Sequence, residues 1–219
     1  MSKELLEKYV QAVLAAPESL HLTATRDPAE FWWRHVLDAL KLAELFPPSD
    51  HKKPCKVLDV GSGNGIPGIP VAIAVPSWSV DLLDSNNKKC GFLDMFCKFN
   101  GLKNVHTIPG RAEVLGHGKR REAYDIAFAR ALGKLPVAVE LASPFLRVGG
   151  ILIVPHGTSW EIELQRSKKA MKELGVSFNG KRSYSIGVNI TFKALFFEKM
   201  WSTPEKYPRA TGIPTKRPL

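Results

Sequence analysis

A glycine-rich stretch directly after an apolar segment constrains this chain more than any other feature. Residues 56–60 have the apolar composition of a buried strand, and residues 61–68 read Gly-Ser-Gly-Asn-Gly-Ile-Pro-Gly. Glycines there let the backbone turn tightly and let a ligand approach it, and the helix predicted at 67–75 offers free N–H groups at its start. A turn of this kind belongs at the carboxyl end of a strand in an α/β sheet, which is where such proteins bind ligands.

The rest of the chain alternates strand and helix patterns. Apolar runs predict strands at 56–60, 78–83, 105–108, 124–129 and 151–154, and a hairpin of 183–188 with 191–198. Helical spacing predicts helices at 4–16, 28–46, 67–75, 87–100, 135–146 and 159–174. Pro17 and Pro47-Pro48 end the first two helices, Asp27 caps the second, and Gly149-Gly150 ends the helix at 135–146. This alternation predicts an α/β fold with a mainly parallel, seven-stranded sheet covered by helices on both faces.

We divide the chain into a helical preface (1–50), one α/β domain (51–200) and a basic, proline-rich extended tail (201–219). A chain of 219 residues, 44% of them hydrophobic, is long enough for one core of this kind. Three isolated cysteines predict neither a disulfide nor a zinc site, and no apolar run approaches the roughly 20 residues that cross a bilayer. We therefore expect a cytoplasmic protein that binds neither a metal nor a membrane. We also expect it to be a monomer.

The net charge of +10 is unevenly placed along the chain. Residues 1–50 carry 5 Lys and Arg against 8 Asp and Glu, whereas residues 51–159 carry 14 against 8 and residues 160–219 carry 12 against 5. A regional excess of this kind is typical of nucleic-acid binding, because neutralised phosphates release condensed counterions. Many basic proteins bind no nucleic acid, so charge alone leaves the partner open.

Two ligands are candidates for the glycine loop. Gly63, Gly65 and Gly68 formally satisfy the dinucleotide fingerprint, but the pattern starts two residues late and Pro67 removes an N–H that a pyrophosphate would use. S-adenosylmethionine, hereafter the donor, suits the loop better, because its carboxylate and ribose need polar partners. Asp84 ends the second predicted strand and is placed to accept hydrogen bonds from ribose hydroxyls, unless it only caps the next helix. Asp59 either faces the donor's amino group or only braces the loop.

Several segments together resemble one family. They are LDVGSGNGIPGIP at 58–70, LLDS at 82–85, GRAE at 110–113, FARA at 128–131, Leu22-Thr23, Arg34-His35, Asp38, and the tail pattern Tyr207-Pro208-Arg209 with Gly212, Pro214, Lys216 and Pro218-Leu219. The combination is similar to the bacterial small-subunit ribosomal RNA guanine-N7 methyltransferases, known as RsmG or GidB. The similarity covers roughly residues 20 to 155 and the tail.

The resemblance implies a Rossmann-like class I methyltransferase that transfers a methyl group from S-adenosylmethionine to N7 of a guanine in 16S ribosomal RNA, free or in the small subunit. It implies that Gly61 and Ile66 contact the donor, that Ala112 and Glu113 flank its adenine, and that Arg130 lies beside the methyl-transfer site. The donor loop comprises Asp59, Gly61, Ser62, Gly63, Asn64, Gly65 and Ile66. Arg130 is expected to hold either the guanine edge or the donor carboxylate, and His35 to border the cleft. His21 and His156 depart from the family pattern on the substrate side.

The chemistry of guanine N7 fits what this sequence lacks. The N7 lone pair is free, so in-line attack on the sulfonium methyl needs alignment rather than a general base. The sequence has no Asn-Pro-Pro-Tyr element and no cysteine after the fourth or fifth strand, which argues against exocyclic-amine and cytosine-C5 methylation. Basic residues near the cleft are expected to hold the RNA phosphates, and the candidates are Lys88, Lys89, the loop Lys119, Arg120 and Arg121, and Arg209, Lys216 and Arg217 in the tail. The alternatives are a methyltransferase for another RNA or a small molecule, an NAD-dependent oxidoreductase, and a non-catalytic RNA-binding module.

Overall fold

The computed structural model describes residues 2–46, 50–157, 159–186 and 190–219, in which seven strands form one sheet. The strands are β1 Cys55–Val60, β2 Trp78–Asp84, β3 Val105–Pro109, β4 Tyr124–Phe128, β5 Leu146–His156, β6 Val176–Ile186 and β7 Ile190–Lys199. Their order across the sheet is β3-β2-β1-β4-β5-β7-β6. The first five strands are parallel and β7 is antiparallel to both β5 and β6, so the predicted α/β sheet and its terminal hairpin are confirmed.

The predicted helices are present in order, but the predicted helix 159–174 is divided in two at Ser167, and residues 112–115 form an additional helix. The helices are α1 Ser2–Leu14, α2 Pro28–Phe31, α3 Leu37–Glu44, α4 Gly68–Ala74, α5 Asn87–Phe99, α6 Ala112–Leu115, α7 Leu135–Ala142, α8 Trp160–Arg166, α9 Lys168–Leu174 and α10 Ile213–Lys216. A π-helical turn, Trp32–Val36, joins α2 to α3, and Asp27 caps α2 as predicted. Pro47-Pro48 and the last two residues of the predicted strand 183–188 lie outside the described residues.

The prediction that Gly149-Gly150 ends the helix beginning at 135 is wrong. That helix, α7, ends at Ala142 and is followed by a 3₁₀ turn, Ser143–Phe145, because Pro144 cannot continue an α-helix. Both glycines lie inside β5, where the register with β4 shifts. A Cβ at Gly150 would lie 3.1 Å from the carbonyl oxygens of Asp125 and Tyr124, so this bulge requires a residue without a side chain.

The sheet is covered on both faces, as its alternating apolar side chains require. One core contains Val57, Leu82 and Phe128 together with the side chains that α1, α3 and α4 bury. The other core contains Leu58 and Ala127 and is covered by α7 and α9. The helices of the preface therefore pack into the first of these cores.

We call the side of the sheet where the parallel strands begin the amino edge, and the side where they end the carboxyl edge. The tail crosses the second face from the amino edge to the carboxyl edge. Thr203 hydrogen-bonds to the Leu174 carbonyl near the end of β7, and Gly212 N donates to Glu113 Oε1 beyond the end of β3. The tail, expected to be extended, contains the short helix α10, which packs against α7.

In the described part of the chain, no helix combines the length and apolar character that crossing a membrane requires.

Candidate donor site at the carboxyl edge of the sheet

The order of the strands places a crevice at the carboxyl edge. The chain returns to the middle of the sheet when β4 pairs with β1, and ligands in open α/β sheets bind at such a point of reversed strand order. A cavity of about 180 Å³ opens beside it. Its lining comes from the segments 129–138 and 154–157, which follow or end β4 and β5.

The glycine loop has the backbone conformation that its composition predicts. Gly61, Gly63 and Gly65 have φ of +71°, +57° and +94°, in the left-handed region that favours glycine. The N–H groups of Gly61 and Ser62 both donate to the Leu83 carbonyl, at 2.8 and 2.9 Å, which joins the loop to the end of β2. Within the loop, the N–H of Gly65 donates to the Ser62 carbonyl at 2.7 Å, so the turn is fixed both by its own backbone and by the neighbouring strand.

Asp84 links the glycine loop to the start of α5. Its Oδ2 accepts the N–H of Gly63 at 2.8 Å, and its Oδ1 accepts the N–H of Asn86 at 2.8 Å. The N-cap of α5 is Asn86, whose side chain accepts from the N–H groups of Lys88 and Lys89. The alternative that Asp84 only caps this helix is therefore wrong, and its carboxylate lies at the carboxyl edge beside the loop.

Two buried polar atoms beside the loop lack partners among the described residues. Asp59 is 1% exposed; its Oδ2 accepts the N–H of Gly68 at 2.9 Å, while its Oδ1 has no protein partner. Ser62 Oγ, on a side chain 2% exposed, is also unpartnered. Burial raises the pKa of Asp59 to about 7, against the hydrogen bond from Gly68 and the charge of Arg130. Unpaired buried polar atoms are costly, and groups on a polar ligand such as the donor would satisfy them. The residues present thus fit this donor.

The preface supports the loop directly, through a residue that no motif in the sequence marks as part of the site. Tyr9 on α1 is fully buried, and its hydroxyl donates to the Asn64 carbonyl at 2.7 Å. Its ring packs edge-on against Phe31 and Phe96. Tyr9 fits the helical apolar pattern of α1, so its spacing predicts a core residue and carries no signal of its polar contact.

Arg130 and His35 come together, although 95 positions separate them. The Arg130 guanidinium donates through Nη2 to His35 Nδ1 at 3.1 Å and lies with Nε 3.2 Å from Asp38 Oδ2. Asp38 is 3% exposed, and its Oδ1 accepts the Tyr184 hydroxyl at 2.6 Å. Arg130 follows β4, His35 lies in the π-helical turn, Asp38 in α3 and Tyr184 in β6, so four elements meet here. The Asp38 carboxylate thus holds both Arg130 and Tyr184, and Arg130 extends the chain of contacts to His35.

The protonation states of this cluster suit a positioning role. Burial and the charges of Arg130 and Arg34 lower the pKa of His35 to about 4, so its imidazole is neutral at physiological pH. A neutral ring that accepts at Nδ1 carries its proton on Nε2. Burial raises the pKa of Asp38, against the hydrogen bond from Tyr184 and the charge of Arg130. His35 is thus an acceptor that orients Arg130, poorly suited to cycling a proton near pH 7.

The other predicted donor contacts lie around the same edge. Ile66 is 3% exposed and packs in the first core, while Ala112 and Glu113 begin α6 directly beyond β3. Glu113 is 8% exposed, and one of its oxygens is already occupied by the tail through Gly212. The structure therefore ties the tail to the residues expected to flank the adenine.

The predicted RNA contacts divide between the two edges. Lys88 and Lys89 begin α5 at the carboxyl edge. Lys119 and Arg120 line a separate depression with the start of β2, at the amino edge. The expectation that their loop borders the cleft is wrong, because the loop leads into β4 and therefore lies where the strands begin.

Arg121 and Arg209 have internal partners. Arg121 donates to the carbonyls of Gly116 and Tyr207 at 2.8 and 2.9 Å and also reaches Thr203, which fastens the tail to the domain. Arg209 forms a two-pronged ion pair with Glu140, at 2.9 and 2.6 Å, and the Glu140 carboxylate is fully buried. Such pairs hold the tail in place, and removing one partner from a buried pair is strongly destabilising.

The comparisons with known proteins agree with this geometry. The family model described as GidB, rRNA small subunit methyltransferase G, matches residues 2–183. The ribosomal RNA small subunit methyltransferase G of Nostoc punctiforme is 35% identical, over 99% of this chain and 90% of the relative. That of Thermotoga sp. strain RQ2 is 39% identical, over 99% of this chain and 91% of the relative.

Solved structures show the same fold at low sequence identity. The crystal structure of M. jannaschii TYW2 in complex with AdoMet superposes with a TM-score of 0.58, at 16% identity, over 76% of each chain. The fold is thus that of the class I methyltransferases. With the match of the family model over most of its length, this chain belongs to the GidB family of small-subunit ribosomal RNA methyltransferases.

Proposed function

We propose that this protein transfers a methyl group from S-adenosylmethionine to N7 of a guanine in 16S ribosomal RNA. The observation that carries the proposal is the pair of unpartnered buried atoms, Asp59 Oδ1 and Ser62 Oγ, beside a glycine loop in a chain of this family. The α/β domain, 51–200, would carry the reaction, and the chain would act as a monomer in the cytoplasm on free RNA or the small subunit.

The donor would be held by the loop and by the strand ends around it. When bound, it supplies an electrophilic methyl group. The binding residues would be Asp59, Gly61, Ser62, Gly63, Asn64, Gly65, Ile66, Asp84, Ala112 and Glu113. Within this set Asp84 would face the ribose through the lone pairs that its two backbone contacts leave free.

Arg130 would orient the reactants rather than exchange a proton. Guanine N7 attacks with its own lone pair, so correct placement is what the protein must provide. The contacts to Asp38 and His35 use Nε and Nη2 and set the plane of the guanidinium. A fork fixed in this way can meet the guanine edge or the donor carboxylate with defined geometry.

The RNA would lie across the carboxyl edge. Lys88, Lys89, Lys216 and Arg217 are the predicted contacts near that edge with exposed or half-exposed side chains. Lys216 ends α10 and Arg217 follows it. The helix α10 packs against α7, whose first turn faces the cavity. Phosphate contacts of this type position an RNA without reading its sequence.

The direct test is methyl transfer itself. Purified protein is incubated with radiolabelled S-adenosylmethionine and either protein-free 16S ribosomal RNA or small subunits, and the labelled base is mapped. We expect label at N7 of one guanine. Label on adenine or cytosine, or the absence of label from both substrates, would contradict the proposal.

Replacing Asp84 with Asn is expected to weaken S-adenosylhomocysteine binding by about 10- to 100-fold, since hydrogen bonds to a charged group contribute about 1.5–3 kcal/mol. Asparagine also has a single acceptor oxygen, so it cannot serve both Gly63 and Asn86. Titration calorimetry measures the effect. Asp81→Asn, on the same strand and bonded to Tyr124 at 2.6 Å, is the matched control and should bind normally. Unchanged affinity in the Asp84 variant would show that its carboxylate is not a ligand.

A further inference from the structure

A polar, basic strip crosses the last three strands beside the cavity. His156 pairs with Lys193 across β5 and β7, and Lys193 pairs with Ser183 across β7 and β6. Paired residues share a face of the sheet, so the three side chains form one row. His156 also lines the cavity at the ends of β4 and β5. The row therefore starts at the cavity beside the candidate donor site and runs outward.

Two lysines in this strip lie over one aromatic ring. The ammonium of Lys181 is 4.3 Å from the centroid of the Trp160 ring, and that of Lys193 is 5.5 Å from it. The two cations thus lie within about 10 Å of each other, which is roughly one Debye length at 0.1 M salt. Neither forms an ion pair with any carboxylate in the described part of the chain, where thirteen other Lys or Arg pairs occur.

Hydroxyl groups extend the same face toward the hairpin end. Ser185 pairs with Thr191, their hydroxyl oxygens lie 3.4 Å apart, and both side chains are exposed, as is that of Ser183. Lysine ammonium and hydroxyl groups are common donors to phosphate oxygens. A surface with cations, hydroxyl donors and no carboxylate partner for those cations fits a polyanion better than a protein surface of mixed charge.

We propose that this strip, formed by Lys181, Ser183, Ser185, Thr191 and Lys193 over Trp160, binds the sugar-phosphate backbone of the RNA next to the methylated guanine. The inference rests on the proposed function and adds a contact surface to it. Because β7 is antiparallel, it starts at the carboxyl edge, so the strip lies at the same edge as the donor loop. The sequence alone does not mark these residues as a binding surface, because they alternate with apolar residues as in any half-buried strand.

Binding to protein-free 16S ribosomal RNA is measured between about 50 and 200 mM salt, the range over which phosphate contacts weaken strongly. One variant removes the charges of both lysines, and a second variant keeps them. Lys181→Gln/Lys193→Gln should bind about 10-fold more weakly at the lower salt concentration. Its plot of log affinity against log salt should be shallower by about 1.4, since each single-strand phosphate contact contributes about 0.7. Lys181→Arg/Lys193→Arg should bind like the wild type.

Two controls make the result specific. Lys119→Gln/Arg120→Gln removes the same charge at the amino edge and should leave RNA affinity within about twofold of the wild type. S-adenosylhomocysteine binding should be unchanged in every variant, which shows that the donor site is intact. Wild-type affinity in the Lys181/Lys193 glutamine variant, an equal loss in the amino-edge control, or no RNA binding by the wild type would overturn the inference. RNA binding without methyl transfer would contradict the proposed reaction alone.

Discussion

An Arg130→Lys protein is expected to transfer methyl groups about 100-fold more slowly than the wild type, while remaining folded. Lysine keeps the positive charge beside Asp38, so the buried carboxylate does not become an unpaired charge. It lacks the planar fork, so it cannot contact Asp38 and His35 together and still present a defined donor pair to the ligand. A misplacement of about 1 Å at a reacting centre can slow a reaction by about 100-fold. Single-turnover transfer to 16S ribosomal RNA measures this effect.

The matched control is Arg147→Lys. Arg147 forms the same type of pair, with Nε 2.7 Å from Asp125 Oδ1, but between β5 and β4 at the amino edge. This variant should react at the wild-type rate. S-adenosylhomocysteine affinity then identifies the partner of Arg130: a fall in affinity indicates the donor carboxylate, and normal affinity with slow transfer indicates the guanine. A normal rate in the Arg130 variant would rule out the positioning role.

Gly68→Ala is expected to destabilise the protein by about 1–3 kcal/mol, the usual cost of overpacking, and to weaken donor binding. A Cβ at this position would overlap the buried side chain of Leu82 and lie 2.9 Å from Asp59 Oδ2. Asp59 accepts the Gly68 N–H through that same oxygen, so relieving the overlap moves a carboxylate of the donor site. Denaturant unfolding and donor titration measure the two effects.

Gly91→Ala provides the opposite control. Gly91 lies in α5, and a Cβ there would meet no atom within 4 Å. Alanine in a helix interior is favoured over glycine by about 0.5–1 kcal/mol, so this variant should be slightly more stable and bind the donor normally. If both alanine variants changed stability in the same direction, the packing argument for Gly68 would fail.

Much of the donor side was predictable because its determinants are local. Glycines after an apolar run indicate a tight turn, and a carboxylate that ends the next strand must meet that turn when the strands pair in parallel. The contact between Asp84 and Gly63 follows from this logic across 21 residues. A local pattern misleads where two structures share it. The pair Gly149-Gly150 is compatible with a helix end, but in this fold it lies where the register of β5 with β4 shifts.

The substrate side was less predictable because its residues are joined only by the fold. The family resemblance points to Arg130 and His35, but nothing in their spacing predicts the Asp38 carboxylate between Arg130 and Tyr184. The basic residues show the same difficulty. Composition identifies a positive surface, whereas strand direction decides that Lys119 lies at the amino edge and Lys193 at the carboxyl edge.

The α/β alternation, the glycine loop and its two strand-end carboxylates follow from the local pattern of the chain, because helix and strand periods and glycine conformations depend on neighbouring residues. The folded arrangement selects the charges that serve the site. It assigned Arg121 and Arg209 to fastening the tail, joined Tyr9 to the donor loop, and oriented Arg130 through Asp38 and His35. A guanidinium or a hydroxyl has the same intrinsic chemistry wherever it lies, and its role depends on the partner that packing brings within hydrogen-bond distance.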